Sequence, residues 1–140
     1  MMTIDEMQIV LNELAEELPE VFFKELNGGI LLLPEAKPSE FSRNGDLFNL
    51  GEYSRGSGMG KYITIYYGSF ARLFPHISDE AMKKKLRDTL RHEFRHHMET
   101  LAGERGLEFE DARFINDYLD KKTLVQGRKK SILHRIKGNK

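Results

Sequence analysis

The sequence predicts an α+β domain. Three observations carry that prediction: apolar residues recur at helical spacing near the N-terminus, a hairpin of β-branched and aromatic residues occupies the middle, and a long, capped helical stretch follows it. The 140 residues fit one core, and we read the domain as residues 1–126 followed by a basic tail, 127–140.

The first element begins with a capping box, Thr3 followed by Glu6, after which Met7, Val10, Leu11, Leu14, Ala15 and Leu18 share one helical face. Pro19 then fits the first turn of a short second helix carrying Val21, Phe22, Phe23 and Leu26, closed by Asn27, Gly28 and Gly29. Ile30 to Leu33 reads as a buried strand. Pro34 and Pro38 open a polar loop through Asn44 and Gly45, and Leu47, Phe48, Leu50 and Tyr53 suggest another strand.

Arg55 to Gly60 is a turn with three glycines, and Tyr62, Ile63, Thr64, Ile65, Tyr66 and Tyr67 behind it form the second arm of the hairpin. Gly68 breaks the strand, and a short apolar segment runs from Phe70 to Phe74 before Pro75. Ser78 is a good N-cap, with Asp79 and Glu80 in the first turn where the helix dipole favours acids. From there nothing interrupts a helix until Ala102. Leu86, Leu90, Phe94 and Leu101 make its apolar stripe, and Gly103 and Gly106 end it. A last helix is expected over Ala112 to Lys122, burying Phe114, Ile115, Tyr118 and Leu119.

Composition excludes several classes. Hydrophobic residues are 39% and charged residues 31%, values of a folded globular chain, and the longest apolar run, Ile30 to Leu33, cannot span a bilayer. No membrane partner is expected. Met1 to Glu6 lacks the basic start and apolar core of a secretory signal, so the expected location is cytoplasmic. With no cysteine, any metal must be held by imidazole and carboxylate, which narrows the search to five His and 22 acids. The tail holds Arg128, Lys129, Lys130, Arg135, Lys137 and Lys140 with no acid, leaving the rest of the chain acidic.

Within the long helix stands His92-Glu93-Phe94-Arg95-His96, the HExxH pattern of zinc hydrolases. Residues four apart on a helix project from one face, so both imidazoles can reach one Zn2+ ion at roughly 2 Å each. Glu93 lies beside that face, where it can take a proton from activated water and pass it to a leaving amine. The bland alternative is a pair of histidines on a solvated face beside Arg91 and Arg95.

The run Leu90-Arg91-His92-Glu93-Phe94-Arg95-His96-His97, preceded by the strand Tyr62 to Tyr67, Gly68 and the helix start at Ser78, resembles the small bacterial zincin-like metallopeptidase family, the minizincins. The similarity covers Met7 to about Glu99. It implies an α+β, zincin-like fold, with a small mixed or antiparallel sheet packed on the HExxH helix and helices at either end. It also implies zinc on His92 and His96, Glu93 as general base, and a peptide or protein substrate. The doubled histidine is a feature that the family often shows. In zincins the strand before the motif helix pairs with extended substrate backbone, which by resemblance assigns Tyr62, Thr64 and Tyr66 to the substrate rim. An ordinary core or edge strand is the alternative.

The sequence also departs from that family. Relatives usually continue with Phe-Gly and supply an aspartate six residues after the second ligand, whereas Met98, Glu99 and Ala102 occupy those positions here. Ala102 cannot bind metal. If the helix ends there, roughly 9 Å beyond His96, five extended residues after Gly103 return roughly 16 Å. That makes Glu108 the first choice of third ligand, with Glu110 and Asp111 as later options and a solvated acidic loop as the alternative. Glu99, three residues after His96, could orient a ligand imidazole from behind. His97 projects to a different face and is carried as a supporting or substrate contact. The Gly56 to Gly60 run lacks the Gly-Lys-Ser/Thr of a phosphate loop.

The expected activity is therefore zinc-dependent hydrolysis of peptide bonds, with Glu93 as base. Two other readings stay open. One is a non-catalytic zinc-binding or interaction protein, favoured by the missing aspartate. The other is a metal-dependent RNA hydrolase, suggested by the basic tail, although that tail lacks the interleaved aromatics of a nucleic-acid surface.

Overall fold

Order in this chain starts with its first helix cap. In the computed structural model, which describes residues 1–42, 45, 47–105 and 118, the Thr3 amide donates to Glu6 Oε1 at 2.7 Å and the Glu6 amide donates to Thr3 Oγ1 at 3.2 Å. That reciprocal capping box opens helix α1, Ile4–Glu16. The expected last helix, Ala112 to Lys122, lies outside the described residues save for helical Tyr118, as do Glu108, Glu110, Asp111 and the basic tail.

The chain divides into two compact units, Met1–Phe94 and Arg95–Lys140. In the first, α1 buries Met7, Leu11 and Leu14 at successive helical turns. The short helix expected after Pro19 is a single 3-10 turn, Glu20–Phe23. It buries Phe22 completely and leaves Val21 exposed.

Among the described residues five strands follow: β1 Gly29–Leu33, β2 Lys37–Pro38, β3 Phe48–Asn49, β4 Gly51–Ser57 and β5 Gly60–Tyr66. The expected loop after Pro34 thus contributes a two-residue ladder, with Lys37 opposite Asn49 and Pro38 opposite Phe48. β4 and β5 form the expected hairpin, but its glycine-rich turn is shorter than Arg55 to Gly60. Pairing continues to Ser57 and Gly60, with a register shift between Ser54 and Ser57 that absorbs the extra residues. The main sheet has the order β1-β5-β4, and β1 runs parallel to β5 from Gly29 opposite Tyr62 to Leu33 opposite Tyr66. The sheet is therefore mixed, and the chain is α+β.

β5 is the middle strand, and its burial shows why. Ile63 and Ile65 are fully buried on one face, while Thr64 and Tyr66 are buried on the other. A strand covered on both faces loses the hydrophobic–polar alternation of a surface strand.

α2, Tyr67–Leu73, starts directly from the end of β5, so Gly68 sits in its first turn instead of breaking the chain. Its role is close approach. A Cβ there would lie 2.5 Å from the backbone of Glu35 and Ala36. The Gly68 amide donates to the Glu35 carbonyl at 3.1 Å.

The Ser78 hydroxyl accepts from the Ala81 amide at 3.2 Å and starts α3, Asp79–Arg105. Met82, Leu86, Leu90 and Phe94, one turn apart, are essentially fully buried. Each contributes roughly 1.5–3 kcal/mol of burial free energy. The ring centroid of Phe94 lies 6.0 Å from Phe22 and 5.1 Å from Phe23, so the aromatic pair behind the first histidine belongs to the same core.

In the second unit α3 continues through Gly103, the expected stop, as far as Arg105. One glycine costs a helix about 1 kcal/mol, too little to stop a stretch that buries Met98 and Leu101. No described helix is long and apolar enough to cross a membrane.

Candidate active site

α3 places the HExxH residues as a helix must. Leu90 and Phe94 face the core, so His92, two positions from either, falls on the opposite side and is exposed. Glu93 is 6% exposed. Both line a cavity of about 380 Å³ whose other walls are Phe48, Asn49, Leu50, Gly51, Asp88 and Thr89. One wall is thus α3, from Asp88 to Glu93, and the other is the junction of β3 and β4.

Gly51 allows that junction to approach the helix. A Cβ there would meet Thr89 Cγ2 at 3.0 Å and the Thr64 carbonyl at 3.1 Å. Thr89 in turn donates its hydroxyl to the Lys85 carbonyl at 2.8 Å, which holds its methyl toward the strand.

Behind the strand wall lies a polar cluster. The Tyr66 hydroxyl donates to Glu52 Oε1 at 2.6 Å and Lys37 Nζ donates to the same oxygen at 3.3 Å. Burial pushes the Glu52 carboxyl up, but hydrogen bonds from Tyr66 and Lys37, and one from Asn49, outweigh it and hold the group below its ordinary range. Burial and the Glu52 carboxylate both raise the Tyr66 hydroxyl well above its usual value. This cluster ties β2 to β4 and β5, and through Asn49 it reaches a residue of the cavity wall.

The remaining motif residues lie on the continuation of α3. His96 is exposed, and its Nδ1 lies 3.2 Å from Glu99 Oε1. The carboxylate can only accept, so Nδ1 is the donor in this contact and Nε2 is the ring nitrogen not engaged by Glu99. His97, the second of the doubled histidines, is fully buried and so packs within the protein instead of facing a substrate.

Two sequence expectations need correction. One is that substrate backbone adds to the strand of Tyr62, Thr64 and Tyr66. That strand is β5, and both of its edges are already paired, to β1 and to β4. The parallel pairing of β1 occupies the edge that the sequence left open. Among the described residues β1 and β4 are the edge strands of this sheet, and Gly51 of β4 lines the cavity. The other concerns the starting point for a third ligand, because α3 runs past Ala102 at least to Arg105.

Among the described residues no group of three His, Cys, Asp or Glu is placed to hold a metal. The donor set is a pair of exposed imidazoles with a carboxylate on one of them. Sequence reasoning missed Asp88, Thr89 and the Phe48 to Gly51 wall. Asp88 could have been found, because it precedes His92 by the same four residues that separate His92 from His96.

The chain is 34% identical to a conserved hypothetical protein of known structure from T. thermophilus, matching 72% of this chain and 98% of that one with a TM-score of 0.61. The chain belongs to the same family as that protein. The shared architecture is the α+β fold. No protein-family model and no curated protein matches the sequence. The chemistry of this family member therefore has to be argued from its own residues.

Proposed function

We propose that the protein is a zinc-dependent metallopeptidase with a zincin-like fold, in which His92 and His96 hold the metal and Glu93 is the general base. The observation that carries this reading is one uninterrupted helix, Asp79–Arg105, presenting two exposed imidazoles one turn apart with a buried carboxylate beside the first at a cavity. A pair of merely solvated histidines needs neither the cavity nor the Glu99 contact behind His96.

The donor chemistry fits zinc, which takes imidazole nitrogen readily. Bound zinc would lower the pKa of a coordinated water toward about 7 and polarise the scissile carbonyl. Glu93, held in the cavity wall, would accept a proton from the attacking water and return it to the leaving amine. Glu99 would fix the tautomer of His96 and raise its basicity. The edge of β4, starting at Gly51, is where extended peptide backbone can add.

A third donor is expected from beyond the helix. Arg105 stands roughly 13 Å past His96 along the axis. Glu108, with Glu110 and Asp111 as alternatives, remains the candidate for that donor, and all three lie outside the described residues.

Hydrolysis of a mixed peptide library, followed by mass spectrometry, tests the reading. Cleavage that requires zinc and disappears in Glu93→Gln, with zinc still bound, supports it. Cleavage retained by that variant removes Glu93 from the chemistry, and zinc binding without any cleavage turns the reading to a non-catalytic zinc protein.

A further inference from the structure

Asp88 is an acidic wall residue of the cavity that the proposed hydrolysis does not use. It lies one helical turn before His92, exposed, on the same side of α3. Its position on a helix rich in lysine and arginine would ordinarily neutralise it, yet three cations close to it in sequence are engaged elsewhere. Arg87 donates from Nε and Nη2 to the Glu17 carboxylate at 3.1 and 3.0 Å. Lys83 donates to Glu13 at 3.4 Å. Lys85 places its ammonium 4.5 Å from the Phe74 ring centroid. No hydrogen bond or ion pair among the described residues engages the Asp88 carboxylate.

The opposite wall supplies apolar surface, Phe48 and Leu50. Arg72 sits 5.7 Å from the Phe48 ring centroid and brings a positive charge to that side. A cation entering the cavity is thus repelled at the strand wall and attracted at the helix wall. An aliphatic stem with a cationic head matches both surfaces, the stem lying along apolar side chains and the head reaching the carboxylate.

We infer that this cavity is a specificity pocket for a lysine or arginine side chain of the substrate, with Asp88 pairing the cationic head and Phe48 and Leu50 flanking the stem. The inference rests on the peptidase reading for its substrate class, but side-chain recognition by Asp88 requires no metal.

Three fluorescent peptides of equal length, differing only in one central lysine, norleucine or glutamate, test it against the full-length chain. Binding is measured with Glu93→Gln, both with and without zinc, so the result does not depend on hydrolysis. The lysine peptide should bind about fivefold more tightly than the norleucine peptide, as expected of a partly exposed ion pair. Adding Asp88→Asn should abolish that difference, and Asp88→Lys should reverse it toward glutamate, with the melting temperature preserved. A lysine preference that survives Asp88→Asn, equal binding of all three peptides, or no binding at all overturns the proposal. Failure of the peptidase reading shows separately, as absent zinc uptake or absent cleavage.

Discussion

Nδ1 of His96 lies 3.2 Å from Oε1 of Glu99, three residues further along the same helix. The contact leaves Nε2 as the nitrogen available to a metal. Replacing Glu99 by Ala should therefore weaken zinc binding without removing it, by about tenfold, the low end for a carboxylate behind a ligand histidine. Both side chains are largely exposed, which argues for the low end. Competition with a zinc chelator measures the change, and unaltered affinity would show that the carboxylate plays no part.

In the proposed mechanism Glu93 is the group on which turnover depends. Glu93→Gln keeps the size and polarity of a side chain that is only 6% exposed, so folding and zinc content should persist. The hydrolytic rate should fall by about 10²- to 10⁴-fold, as general-base removal does. Steady-state kinetics alongside metal analysis checks both halves.

Gly68 separates stability from chemistry. A Cβ would sit 2.5 Å from the backbone of Glu35 and Ala36, and backbone cannot give way as a flexible side chain can. Gly68→Ala should cost about 1–3 kcal/mol in urea unfolding. An unchanged midpoint would contradict the close packing of α2 on the segment after β1.

Acid should loosen the strand wall through Glu52. Its carboxyl is pushed up by burial but held low overall by Tyr66 and Lys37. A depressed carboxylate stabilises the fold above its unfolded pKa of about 4.3 and loses that contribution as pH falls through the lower folded value. Tyr66, raised in the fold, behaves oppositely: its contribution is complete below about pH 10 and is lost on alkaline titration. Glu52→Gln should flatten both ends of the stability profile measured by thermal unfolding. A profile of unchanged shape would show that the cluster does not couple to folding.

How much of this could be read in advance follows from the range of each signal. The Thr3 and Ser78 caps, the β4–β5 hairpin and the apolar stripe of α3 are local patterns, and the structure has each of them. The HExxH spacing is local too. What was not legible is pairing between distant segments. Nothing in Ile30 to Leu33 announces a parallel partner more than thirty residues away, so nothing local corrected the rim role that the resemblance implied for Tyr62 to Tyr67. The cavity wall at Phe48 to Gly51 depends on Gly51 meeting Thr89, a contact between segments far apart in sequence. Gly103 misleads for a different reason. Its local penalty is real but smaller than the burial gained by continuing the helix.

The proposed hydrolysis requires His92 and His96 to bind one metal together, and a zinc titration of the purified full-length chain tests that most directly. One zinc per chain is predicted, lost in His92→Ala and equally in His96→Ala, with α3 still formed by circular dichroism. A chain that takes up no zinc, or single variants that bind it as the parent does, would contradict it.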